Sequence, residues 1–313
     1  MRRIVRALIV TVVAGCAGSL PAAAAAQGAD AGGQAVSPSS SPAAAAGGQL
    51  PTAAPAPAPA SSRRVSVTAG VDFVTAYLFR GIYQEDRGLI VPPFVDVGVA
   101  VYEWDGALKN VTLNGGTWNS LHSGPSGNQG QGSAWYEADY YGSVSFTIGN
   151  WTPGALFTSY TSPNDVFGTI HELAAVLAYD DSASAFPLAP KATIAFELDG
   201  QADGGDRKGT YLELGIGPEI ALFSAPRYPV TLSVPVKLGL SLKDYYEGPA
   251  GSQRFGFFSA GGRASVPLAF LNGKTTWELH GGLDVLLLGD NLRILNDGDR
   301  VKPIGVIGLS VSY

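Results

Sequence analysis

Three histidines, a single cysteine and a surplus of carboxylates are the groups in this 313-residue chain that could do chemistry. Nucleophilic hydrolysis needs a hydroxyl or thiol beside a base, and His122, His171 and His280 are the bases to consider. His122 falls in a Gly/Ser/Asn-rich loop, His280 lies among charged residues, and His171 sits on an apolar strand face. Hairpin symmetry puts Leu156 opposite His171, with Ser159 a further pleat away, so no Ser–His pair is expected. Metal binding is no better served: no histidine lies within four residues of another, and Cys16 falls in the leader. The run Asp199-Gly200-Gln201-Ala202-Asp203-Gly204-Gly205-Asp206 has the look of a calcium loop but lacks the glutamate that closes one, and reads as a solvated hairpin loop. Binding of calcium or lipopolysaccharide-bridging cations there stays open as an alternative. Phosphate and dinucleotide loops need a strand, a glycine turn and a helix, and residues 64–313 show no helical period. The reading is a non-enzyme without cofactor.

The carboxylates instead form a pattern. After Arg63 the chain alternates apolar with polar or small residues, a period near two that belongs to strands. Strands are expected near 65–80, 90–103, 107–118, 134–147, 151–160, 166–180, 191–199, 209–223, 229–242, 254–268, 274–288 and 302–313, twelve in all. One face is apolar; the other carries Asp72, Asp96, Glu137, Asp139, Glu172, Glu197, Glu213, Glu219, Glu278 and Asp284. Arg80, Lys237, Lys243 and Arg263 share that polar face, with Arg263 expected opposite His280 and beside Glu278.

Connections after odd strands are mostly long and polar, as at 81–88, 119–133, 244–253 and 289–300, whereas most of those after even strands are tight, as at Trp104-Asp105-Gly106, Gly149-Asn150 and Leu271-Asn272-Gly273. The stretch 181–190 breaks that rule. Trp104, Trp151 and Trp277 fall near the tight turns, and Trp118 and Trp135 flank the longest loop, which would make two aromatic belts. The last strand, with Ile307, Leu309, Val311 and Tyr313 on one face, ends the chain on an aromatic, like the signal read by the barrel assembly machinery. Long loops on one side, tight turns on the other and a membrane-type final strand predict an all-β, closed antiparallel transmembrane barrel over residues 64–313.

What precedes it is of another kind. Met1, Arg2, Arg3 and Arg6, an apolar run from Ala7 to Val13 and small residues to Ala26 have the layout of a secretory signal peptide. Cleavage after Ala26 competes with lipidation at Cys16 in Val13-Ala14-Gly15-Cys16. Residues 27–63 are almost wholly Ala, Pro, Ser and Gly, too poor in large apolar side chains to form a core, and read as a disordered linker in the periplasm. Loss of the three leader arginines leaves 17 basic against 26 acidic residues, a net charge of about −9, so nucleic acid is not an expected partner.

A charged inner face must be wet or neutralised. Twelve strands lie between the filled eight-strand barrels and the wide sixteen-strand porins, so a small aqueous bore is expected, with its acid surplus favouring cations. The competing readings are a structural or adhesive surface barrel with a plugged lumen, and a soluble β-domain tethered through Cys16. Asp72-Phe73-Val74-Thr75-Ala76-Tyr77-Leu78-Phe79-Arg80-Gly81-Ile82 resembles the Asp-x-x-[Ser/Thr]-x-Tyr-x-Phe-Arg-Gly opening of the TorF-type putative porin family. The resemblance covers about ten residues and implies an outer-membrane barrel and channel without naming a solute; the porin reading itself expects small hydrophilic solutes to pass and outer-membrane lipids and lipopolysaccharide to surround the wall. Within it, Arg80 is expected inward at the outer end of the first strand, binding an anionic group, bracing the first loop or closing the seam by an ion pair.

Overall fold

The computed structural model describes residues 64–128, 134–223, 229–249, 251–271 and 273–313. The leader with Cys16, the linker up to residue 63 and part of the loop at 119–133 lie outside the described residues.

Twelve antiparallel wall strands close on themselves. They are β1 (Val65–Val74), β2 (Ile90–Val91 continuing as Pro93–Glu103), β3 (Leu108–His122), β4 (Trp135–Ile148), β5 (Trp151–Thr161) and β6 (Ile170–Tyr179). The second half comprises β7 (Lys191–Asp199), β8 (Thr210–Ile216 and Glu219–Phe223), β9 (Val230–Ser233 and Val236–Lys243), β10 (Phe255–Pro267), β11 (Thr276–Leu288) and β12 (Val301–Ser312). The ring shuts where β1 pairs with β12 from Thr68↔Ser312 to Val74↔Val306, and Tyr313 and Val67 exchange both backbone hydrogen bonds. Closure leaves no sheet edge, the condition for strands in a hydrocarbon solvent. Pro218 and Pro235, which cannot donate to a ladder, fall at the breaks in β8 and β9.

Outward-facing side chains are large and apolar, among them Phe73, Val95, Leu173, Phe196, Leu214, Phe258, Leu283 and Ile307, all exposed. A band of this kind running round a monomer far exceeds what water tolerates and suits lipid. The inward positions are the polar ones the alternation indicated: register pairs such as Glu172↔Glu197 and Gly282↔Arg263 put them on one face strand by strand.

The first strand departs from expectation. It leaves the wall at Val74, not at Arg80, and the chain turns into the lumen as a hairpin of Tyr77–Phe79 paired with Ile82–Glu85. Thr75 marks the departure by bonding Gly305 through both its backbone N–H and its Oγ1. The turn needs two residues with positive φ, supplied by Arg80 (46°) and Gly81 (85°). Alternation runs unbroken through this exit, since hairpin and wall strand share the same period. The polar outer loop expected at 81–88 is therefore largely the return arm of an inner hairpin.

Other loops fold over it. A six-residue helix, Asp290–Leu295, lies across the turn, with Leu292 buried so closely that a Cβ on Gly81 would meet its Cδ1 at 2.6 Å. Tyr245 and Tyr246 of the β9–β10 loop are buried in the same core. Trp118 is corrected too: it faces inward against Tyr77, ring centroids 5.3 Å apart, and does not belong to an aromatic belt, whereas Trp104, Trp135 and Trp151 are exposed. The long turn at 181–190 is a built loop in which Asp181 accepts from the backbone N–H groups of Leu188 and Ala189.

Candidate functional site: the plugged lumen

The lumen has two storeys. In the upper one, at the long-loop end, Tyr77, Leu78, Phe79 and Ile82 of the hairpin are almost wholly buried. Polar bonds fix that apolar plug at its tip, along one flank and at its end. At its tip the Arg80 guanidinium grips Glu172 of β6 in two parallel bonds, Nη1 to Oε2 at 2.7 Å and Nη2 to Oε1 at 2.8 Å. The same Nη1 donates to Tyr245 Oη at 2.7 Å, and the cation lies 4.1 Å from the Tyr211 ring centre. The backbone is held as well: Tyr246 Oη donates to the Arg80 carbonyl and Asn296 Nδ2 to the Gly81 carbonyl, both at 2.9 Å. Burial pushes the Tyr245 and Tyr246 phenols well above the ordinary range, so both stay protonated, Tyr245 accepting from Arg80 and Tyr246 donating to its carbonyl.

Along one flank Tyr77 Oη donates to Glu137 Oε2 at 2.9 Å, and Tyr136 Oη bonds Gln84. At the hairpin's end Glu85 Oε2 accepts from the N–H and Oγ of Ser126, each at 2.8 Å. Ser126 Oγ in turn lies 2.6 Å from His122 Nδ1, and Ser120 Oγ lies 2.7 Å from Nε2. His122, expected in an open loop, ends β3 inside the barrel and stacks on Tyr136 at 4.3 Å.

The lower storey, towards the tight turns, is polar and reachable by water. Inward Ser66, Thr68, Thr112, Ser143, Ser145, Ser310 and Ser312 are half-buried or exposed. Its charges are mostly paired. His280 Nε2 meets Asp72 Oδ1 at 2.8 Å across β12, which is feasible because Gly308 stands between them. Arg263 pairs with Asp284, and Lys237 lies 3.8 Å from Glu213. Asp96 accepts from Asn114 Nδ2 and Tyr141 Oη, both at 3.1 Å. Glu219 and Glu278 sit nearest the tight-turn mouth, the first exposed and the second half-buried.

Several placements differ from those read in the sequence. Arg80 belongs to the hairpin and not to the wall. Arg263 faces Gly282, while His280 faces Ser265, two residues off the estimate, because the unbroken β10–β11 ladder is centred between positions 272 and 273, one residue later than a 263–280 pairing requires. Glu197 does not face open lumen: its carboxylate accepts from the Ala202 and Gly209 N–H groups and braces the loop above it. Glu137, Asp139 and Glu172 are sealed by the plug. Ser159 lies directly opposite His171, closer than the hairpin estimate placed it, yet the imidazole stacks on Phe157 at 5.9 Å with planes 18° apart. Gln84, Glu85, Ser126 and Asn296 were not singled out; Gly81 after an arginine, the one residue there free to take positive φ, was the signal that a turn begins.

No family model matches the chain, and no curated protein matches it. Among solved structures, the NanC porin aligns at 12% identity over 80% of this chain and 98% of its own, with a TM-score of 0.38. An outer membrane channel from Pseudomonas putida F1 aligns at 10% identity over 80% and 94%, TM-score 0.40. The outer membrane channel DcaP of Acinetobacter baumannii gives 9%, 80%, 95% and 0.33. Scores this low carry no functional weight. The class is defined by the register alone: a closed twelve-strand antiparallel barrel with an inward-folded hairpin.

Proposed function

We propose that this chain is an outer-membrane channel of porin type for small hydrophilic solutes, closed at rest by the hairpin of residues 77–85. The observation that carries the reading is the pairing of a wet, hydroxyl- and charge-lined lower lumen with an upper plug that is a separate hairpin and not part of the wall. A barrel meant only as a scaffold would fill its lumen with wall side chains, as the eight-strand barrels do. The apolar outer band, the two loop classes and the ten-residue resemblance to the TorF-type putative porin family support the same assignment. In this reading residues 1–26 direct export, the linker at 27–63 lies in the periplasm, and Tyr313 ends the strand read by the assembly machinery.

Selectivity then follows from which charges remain unspent. Asp72, Glu213 and Asp284 have basic partners, and Glu137, Asp139 and Glu172 lie beneath the plug. Asp96, held by the neutral donors Asn114 and Tyr141, and Glu219 and Glu278 at the tight-turn mouth are left to attract cations. In a chain opened by replacing residues 77–85 with a short Gly/Ser bridge, Glu219→Gln with Glu278→Gln is expected to shift the reversal potential in a salt gradient towards zero without changing the fold. An unchanged cation preference in that double variant would refute the assignment.

The plugged surface barrel has one observation in its favour, the polar fixing of the hairpin at its tip, along one flank and at its end. It differs in outcome, because a plug that never yields gives no conductance even when Arg80 is removed.

A further inference from the structure

Where the hairpin meets β4, Glu137 and Asp139 occupy successive inward positions, and both are completely buried. Glu137 Oε2 accepts from Tyr77, but Glu137 Oε1 and both Asp139 carboxyl oxygens have no hydrogen-bond partner. Two ionised carboxylates side by side in a dry site repel each other and lose their hydration, an arrangement that proteins relieve by retaining a proton. The two groups are within hydrogen-bonding reach of each other. A proton on Asp139 satisfies the geometry: its O–H donates to Glu137 Oε1, and Glu137 becomes a carboxylate with a donor on each oxygen.

We propose that Glu137 and Asp139 share one proton, and that this proton keeps the Tyr77 edge of the hairpin docked, so that its loss in alkaline solution releases the plug. The surroundings decide the direction. From the hairpin come Tyr77, Arg80 and Glu85; from β3, His122; from β4, Tyr136; from β5, Tyr160; from β6, Glu172. Arg80, the cation of this cluster, is already taken by Glu172. When hydroxide removes the proton as water, two negative charges face each other in a dry site, and Tyr77 Oη donates to Glu137 Oε2 alone. Undocking the hairpin admits water to them.

The inference rests on the hairpin being able to leave, and its test does not require conduction. Leu78 is a buried residue of the plug itself, so Leu78→Cys in a Cys16→Ser background reports undocking by maleimide labelling. Ser182→Cys, on an exposed turn, corrects for the reactivity of the thiol itself. Above neutral pH the corrected rate is expected to climb about tenfold per pH unit, the slope for one proton, and to stay flat in Asp139→Asn, whose amide still donates to Glu137. Should Leu78→Cys fail to fold, infrared spectra of the unaltered chain decide: a carboxylic-acid carbonyl band that fades on alkalinisation and is absent from Asp139→Asn supports the shared proton. A flat corrected rate, an equal slope in Asp139→Asn, or release by a chelator at neutral pH would overturn it. A barrel that shows the switch and still never conducts would fail the channel reading alone.

Discussion

Arg80→Ala is expected to turn a quiet barrel into one that opens, and to destabilise the closed form by about 3–5 kcal/mol, the usual cost of removing one partner from a buried ion pair. Glu172 is nearly inaccessible and receives both guanidinium bonds, so the deletion strands a buried carboxylate. It also removes the donor to Tyr245 and the cation over Tyr211. The turn itself loses little, because Gly81 and the Arg80 carbonyl remain held by Asn296 and Tyr246. The double variant Arg80→Ala with Glu172→Gln separates the two effects: most of the stability should return, since no charge is stranded, while openings persist because the latch is gone. Openings in Arg80→Ala that disappear in the double variant would show that charge repulsion, and not loss of the latch, frees the hairpin.

The second large effect is expected at the seam. A Cβ on Gly308 would lie 1.9 Å from Asp72 Oδ1 and 2.5 Å from His280 Nε2, and so must part the pair that spans β12 between β1 and β11. Gly308→Val therefore adds an overpacking cost of about 1–3 kcal/mol to about 1–3 kcal/mol for an orphaned buried acceptor. Because β1 and β12 are the chain ends of the wall, that loss should appear as a lower temperature for the shift from folded to unfolded mobility on gels. Gly305→Ala, three residues away, is the control, since its Cβ would stand 3.3 Å from a threonine methyl and needs only a slight adjustment. Equal losses in the two variants would remove the special role of Gly308.

Much of the wall was legible because a barrel writes its two solvents into the sequence with period two. The alternation Ile307, Leu309, Val311 against Gly308, Ser310, Ser312 fixes both the face and the register of β12. Hairpin pairings were less readable because a long connection does not mark its own centre: a shift of one residue in that centre moves Arg263 from His280 to Gly282, and a similar shift in the β5–β6 hairpin puts Ser159 opposite His171. The plug was hidden for a different reason. Tyr77, Leu78 and Phe79 continue the period of β1, so nothing local says that the strand has left the wall; that decision belongs to the tertiary contacts of Arg80 with Glu172, 92 residues away. Trp118 misled in the same way, since a tryptophan at a strand end suits a lipid interface or a packed lumen equally well.

The most direct measurement is single-channel current in planar bilayers, comparing the full chain with a variant in which residues 77–85 are replaced by a short Gly/Ser bridge. The structure predicts that the full chain is silent or opens rarely at neutral pH, and that the bridged variant shows steady, cation-preferring conductance. Steady open steps of equal size in both would contradict the plug, and silence in both would contradict the channel.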